Sequence, residues 1–242
     1  MNLVFISIFV LFISLIVIVD GSYVLYDFTK NENNNDVNKF IEVSDSTERT
    51  AGLSKASFVS IDSTNDPRAV FFSLLVPQSD SACFAGIQDS SENSMNWESY
   101  ETITLNLRRS GPNSIYKVVL RDALVESQNS SVTFEQIFDI ASDCWTNIQE
   151  EDHVKEDHKN IKSTDNIKNK EDTDDNNNGP YTWGYVTLSL NKFVCSYHGQ
   201  DCDYELHRDQ VSSFGLQIAG GRYESYTQSG VGSLELRTII LA

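Results

Sequence analysis

The 242-residue sequence predicts an all-β fold, an antiparallel β-sandwich, on three observations. Eight or more short segments alternate apolar and polar side chains, which is the period-two signature of a strand with one buried face. Gly, Pro, Asn and Ser clusters punctuate those segments as turns. No long stretch carries the 3.6-residue apolar period of an amphipathic helix; only "FEQIFDIA", Phe134 to Ala141, has room for a helical turn.

Taken in order, the chain begins with a leader. Leu3 to Val19 carry no charge, and Val19 and Gly21 supply the small-residue spacing for cleavage before Ser22. The run has no flanking Lys or Arg and falls just short of the roughly 20 residues a membrane span needs. It predicts a signal peptide over residues 1–21 and a protein of the secretory pathway or cell exterior. Residues 3–19 would tie the chain to a membrane only if the leader stayed uncleaved. "YVLYDF" (Tyr23 to Phe28) is the first strand, followed by the polar loop "NENNND" (Asn31 to Asp36). Further strands are "KASFVSI" (Lys55 to Ile61), "AVFFSLLV" (Ala69 to Val76) and "ACFAGIQ" (Ala82 to Gln88).

Next, "YETITLNLRRSG" places Ile103, Leu105 and Leu107 on one face, and "IYKVVLRD" does the same with Tyr116, Val118 and Leu120. The "SGPN" between them has strong turn chemistry, so the two runs read as a hairpin. "YVTLSLNKF" buries Val186, Leu188 and Leu190, and "FGLQIAGG" buries Phe214, Leu216 and Ile218. "GSLELRTIIL" closes the chain with Leu234, Leu236, Thr238 and Ile240 on one side. Residues 147–180 do not belong to this pattern: they hold no aromatic and no leucine, and ten Asp or Glu against five Lys. Such a segment buries too little apolar area to offset its ordering entropy and reads as a disordered acidic insertion in a single domain spanning 22–242.

The formal net charge of -17 excludes capture of nucleic acid or anionic lipid by bulk charge. The four cysteines, Cys83, Cys144, Cys195 and Cys202, suit two disulfides in an oxidising compartment. Cys195 and Cys202 flank the short polar loop "SYHGQD", which would leave Cys83 with Cys144 as the second bridge. Asn129 in "NSS" is a glycosylation acceptor. Metal, cofactor and catalytic sites are not expected. No C-x-x-C pair exists, "DDNNNGP" and "DCDYE" lack calcium-loop spacing, and no phosphate cradle opens a helix. His153 and His158 lie in the insertion, His198 reads as a turn residue, and His207 could pair with Asp209. Trp97 and Trp183 precede strands and read as core or rim. Trp145, Tyr223 and Tyr226 are the candidate ligand rim, since aromatic faces stack on sugar rings or grip peptides.

The order of several segments resembles the NADH:ubiquinone oxidoreductase intermediate-associated protein 30 family. They are "YDF" (Tyr26 to Phe28), "GLSKASF" (Gly52 to Phe58), "FAGIQ" (Phe84 to Gln88), the Trp97 to Arg121 region, Trp183 to Gly199, and "FGLQIAGG" through "GSLELRTIIL". The resemblance implies a galactose-binding-domain-like jelly roll and a non-enzymatic assembly or chaperone role. Its partner would then be a protein client or assembly intermediate, and its compartment the mitochondrion. The alternative partner is a glycan, bound by a carbohydrate-binding module of the secretory route.

Overall fold

The structure is a computed structural model that describes residues 21–30, 35–78, 82–89, 94–141, 183–221 and 226–242. The leader, Cys144, Trp145, the insertion 147–180 and Tyr223 lie outside the described residues. Among the described residues, thirteen strands and three short α-helices follow in order. They are β1 (Tyr23–Asp27), α1 (Asn35–Asn38), β2 (Phe40–Glu42), α2 (Asp45–Glu48), β3 (Lys55–Ile61), β4 (Arg68–Leu75) and β5 (Ala82–Asp89). After them come β6 (Thr102–Ser110), β7 (Ile115–Asp122), α3 (Ala123–Gln128), β8 (Val132–Asp139) and β9 (Gly184–Ser189). The last are β10 (Val194–Tyr197), β11 (Gln200–Asp201), β12 (Val211–Gly221) and β13 (Gly230–Leu241).

They build two antiparallel sheets. One has six strands in the order β3-β4-β13-β6-β9, with β1 also paired to β13; the other has seven, in the order β11-β10-β8-β7-β12-β5-β2. The predicted inward residues meet between them: Ile103, Leu105 and Leu107 from one sheet, Tyr116, Val118, Leu120, Phe214, Leu216 and Ile218 from the other, all buried. An aromatic cluster of Tyr26, Phe28, Phe40, Phe58 and Phe214 closes one end of this core. There the Tyr26 hydroxyl donates to the buried carboxylate of Asp89, tying β1 of one sheet to β5 of the other. Burial, and then the Asp89 hydrogen bond and charge, push the Tyr26 phenol far above its ordinary pKa.

Three sequence expectations are corrected. β6 and β7 do not form a hairpin: β6 pairs with β13 and β9, while β7 pairs with β12 and β8. The "SGPN" link, with Gly111 at φ 109°, carries the chain from one sheet to the other. Turn residues show only that the chain reverses, and both strands need their apolar faces opposed across the core. "FEQIFDIA" is strand rather than helix, because Phe134 and Phe138 lie on one strand face and both are buried. In β13 the alternation slips: Leu234 and Leu236 are buried, then Ile239 and Leu241, with a bulge between Leu236 and Thr238. Thr238 and Ile240 therefore face away from the core.

Of the expected cysteine bridges, Cys83–Cys144 involves a residue outside the described ones. Cys195 and Cys202 are joined, their Cα atoms 5.1 Å apart. Cys83, however, is a buried free thiol against the Ser54 hydroxyl at 3.3 Å. Burial raises its pKa. Ser54 sits at the centre of a buried network: its backbone N–H and hydroxyl donate to the two oxygens of Asp45 at 2.8 and 2.9 Å, and its hydroxyl accepts from the Val76 N–H at 3.1 Å. Cys83 packs into that network from β5.

The disulfide closes the β10–β11 hairpin, whose turn residues His198 and Gly199 both have positive φ, as a type I′ turn requires. Reduction is expected to cost about 2 kcal/mol of stability by loss of loop closure in the unfolded chain. A thermal melt with and without dithiothreitol should show a fall of roughly 4–8 °C; identical melts would mean the hairpin holds without its clip.

Candidate functional site

The residues best arranged for contact with another molecule lie on the outer face of the six-stranded sheet. Alternation in β6 points Asn106 and Arg108 away from the core, because Leu105 and Leu107 point into it. Arg108 is in register with Glu235 on β13, and both its Nε (2.8 Å) and an Nη donate to that carboxylate. Arg237, two positions on from Glu235 and next to the inward Leu236, lies on the same face. Arg237, Arg108 and Arg68 then converge on Asp66, just before β4, at 2.7, 3.2 and 3.2 Å. The Arg68 Nε lies 2.9 Å from Glu235.

Trp183 completes the cluster. Leu107 is paired with Gly184, so the residue before Gly184 falls beside Arg108. The guanidinium carbons of Arg108 and Arg237 lie 4.6 and 4.1 Å from the Trp183 ring centroid, within cation–π range. The face continues along β6 and β9: Tyr185, 36% exposed, is opposite Asn106, and the Thr104 and Thr187 hydroxyls meet at 3.0 Å. The Asn106 Oδ1 is buried without a hydrogen-bond partner. Hence one surface holds aromatic rings and guanidiniums fixed by carboxylates.

Burial alone would raise the Asp66 pKa. The Arg237 hydrogen bond and the charges of Arg237, Arg68 and Arg108 outweigh it and hold the carboxyl below the usual range. A lowered carboxylate stabilises the fold fully above its unfolded pKa, near 4, and that contribution is lost as pH falls through the folded value. Asp66→Asn is therefore expected to lower the melting temperature at pH 7 and to narrow the gap to wild type below about pH 3.5. A gap that stays constant with pH would show that Asp66 acts by packing alone.

The positions singled out from sequence fall elsewhere. Tyr226 is half-buried in the segment leading to β13; Trp145 and Tyr223 are outside the described residues. Asn129 ends α3, with its side-chain oxygen accepting from the Ser131 N–H at 3.1 Å. Trp97 is fully in the core. His207 pairs with Asp122 rather than Asp209: its backbone N–H and Nδ1 each lie 2.7 Å from Asp122 Oδ2. Among the described residues no hydroxyl or thiol is hydrogen-bonded to that histidine. Nor do three His, Cys, Asp or Glu side chains gather to hold a metal ion among them. A cavity of about 430 Å³ beside β3 and α1 is lined by Phe28, Val37, Phe58, Ile61 and Lys30; that lysine pairs with Asp27 at 3.1 Å.

The cluster escaped sequence reading because Arg108 and Glu235 are 127 positions apart. Polar residues at alternate strand positions look alike whether they meet a partner or only water.

No family model matches the sequence, and no curated protein matches it. Among solved structures, the chain is similar to a family 11 carbohydrate-binding module from Clostridium thermocellum in complex with a β-1,3-1,4-mixed-linked tetrasaccharide. The TM-score is 0.53 at 13% identity, covering 91% of this chain and 95% of that one. It is also similar to the family 11 module of a cellulosomal cellulase of the same organism, with TM-score 0.51, 11% identity, and coverage of 91% and 94%. At these identities the likeness is one of fold: a jelly-roll β-sandwich.

Proposed function

We propose that this protein is a non-catalytic carbohydrate-binding module and that the outer face of the six-stranded sheet around Trp183 is its ligand surface. The observation that carries the reading is the Trp183 indole set beside Arg108 and Arg237, whose guanidiniums are already fixed by Asp66 and Glu235. Sugar rings combine apolar C–H faces with hydroxyls that both donate and accept. A ring such as Trp183 or Tyr185 meets the first need. Prefixed Arg N–H donors and the hydroxyl of the exposed Tyr185, which both donates and accepts, meet the second. Because the arginines are already held, little side-chain entropy is lost when a ligand arrives. The sandwich shared with a module that holds a tetrasaccharide supports the reading.

An oligosaccharide array followed by titration calorimetry tests it. Wild type is expected to bind at least one glycan, and Trp183→Ala to weaken that binding about tenfold or more, the loss of one contact worth about 1.4 kcal/mol. An array with no binder would sink the reading and favour a protein client instead.

A further inference from the structure

Resting on that reading, we infer that the glycan is acidic: a sugar bearing a negatively charged oxyanion, a uronate carboxylate or a sulfate ester. The chain as a whole is strongly acidic, with a net charge of -17, yet this face is not. Arg68, Arg108 and Arg237 oppose only Asp66 and Glu235, so three positive charges less two negative ones leave the cluster at +1. Concentrating guanidiniums on one face of an acidic protein costs nothing in solubility and gives that face a sign of its own.

Hydrogen-bond capacity points the same way. A guanidinium has five N–H donors and no acceptor. Arg108 directs its Nε and Nη2 at the carboxylates, and Arg68 its Nη1 at Asp66 with its Nε 2.9 Å from Glu235. Arg237 directs only its Nη2, to Asp66 Oδ1 at 2.7 Å, and its side chain is one-third exposed. Among the described residues its Nε and Nη1 make no hydrogen bond, and the guanidinium lies against the Trp183 ring. A group made of acceptors alone and carrying negative charge satisfies them best, since charge-assisted bonds are the stronger ones. Repulsion from the remaining acidic surface does not cancel this, because charges farther than about 8 Å are screened at physiological salt.

The experiment compares, on the full chain, three oligosaccharides of matched length: a polygalacturonate, a sulfated galactan and a neutral galactan. At least one acidic ligand is expected to bind about tenfold tighter than the neutral one, and its affinity to fall as salt rises. Whichever acidic ligand wins identifies the group. Arg237→Gln should abolish that preference, bringing acidic and neutral ligands to within about twofold of each other and flattening the salt dependence. Equal affinity for acidic and neutral ligands, or no salt dependence, overturns the inference while the carbohydrate reading stands. If no ligand of either kind binds, the reading itself fails with it. Should Arg237→Gln fold poorly, the salt titration of wild type decides.

Discussion

Gly52→Ala is expected to destabilise the fold by about 3 kcal/mol or more, beyond the range of ordinary surface substitutions. Gly52 follows α2, and its N–H donates to the Arg49 carbonyl at 3.0 Å. A Cβ there would lie 2.0 Å from the Asp45 carbonyl oxygen and 2.2 Å from its carbon. Both are backbone atoms of a helical turn, so neither can swing aside. Relief requires moving the turn, and the turn carries the fully buried Asp45 whose carboxylate holds Ser54. Ser54 in turn receives the Val76 N–H, so the damage would spread to β3 and the end of β4. The melting temperature should fall by roughly 6–12 °C. Gly199→Ala is the control: its φ of 77° makes alanine strained, yet nothing lies within 4 Å, so about 1 kcal/mol is expected. If the two variants melt together, the close approach at Gly52 is not what the fold depends on.

Asp122→Ala should cost about 3–5 kcal/mol, because a buried acceptor that serves several donors is removed at once. One of its oxygens caps α3, accepting from Leu124 N at 2.8 Å and Val125 N at 3.2 Å. The other accepts the His207 backbone N–H and lies 2.7 Å from its Nδ1. Alanine leaves the cap open and detaches the segment before β12. Asparagine keeps one oxygen for the α3 cap but turns an NH₂ towards His207, so its cost should fall between those of alanine and wild type. Urea unfolding of the two variants measures this. A loss under about 1 kcal/mol for alanine would mean water replaces Asp122 without penalty.

Both predictions rest on contacts that only the folded chain brings together, which marks the limit of what could be read from sequence. Faces were legible: the buried sets of β6, β7, β9 and β12 are those the alternation assigns. So was the Cys195–Cys202 clip, because its partners are seven residues apart across a short turn. Strand partners were not legible. Apolar alternation in β6 is equally compatible with β7 or β13 as neighbour, and the "SGPN" turn pointed to the wrong one. The bulge between Leu236 and Thr238 left little trace, since Ile239, Ile240 and Leu241 beyond it are apolar in both phases. Arg237 shares the phase of Glu235, but nothing local sets β6 beside β13, so neither could be placed next to Arg108. His207 had Asp209 two residues away, yet its partner is Asp122, 85 positions upstream. Local proximity misled wherever a tertiary contact supplied the better partner.

The most direct test of where this protein meets its ligand is an amide and indole NMR titration with the tightest-binding oligosaccharide. The Trp183 indole N–H and the Arg237 side-chain N–H signals are expected to shift together and saturate, while the core Trp97 indole stays fixed. If instead those two signals remain still and the side-chain amides of Gln88 and Gln217 move, the ligand lies on the seven-stranded sheet and the Trp183 surface is not the binding site.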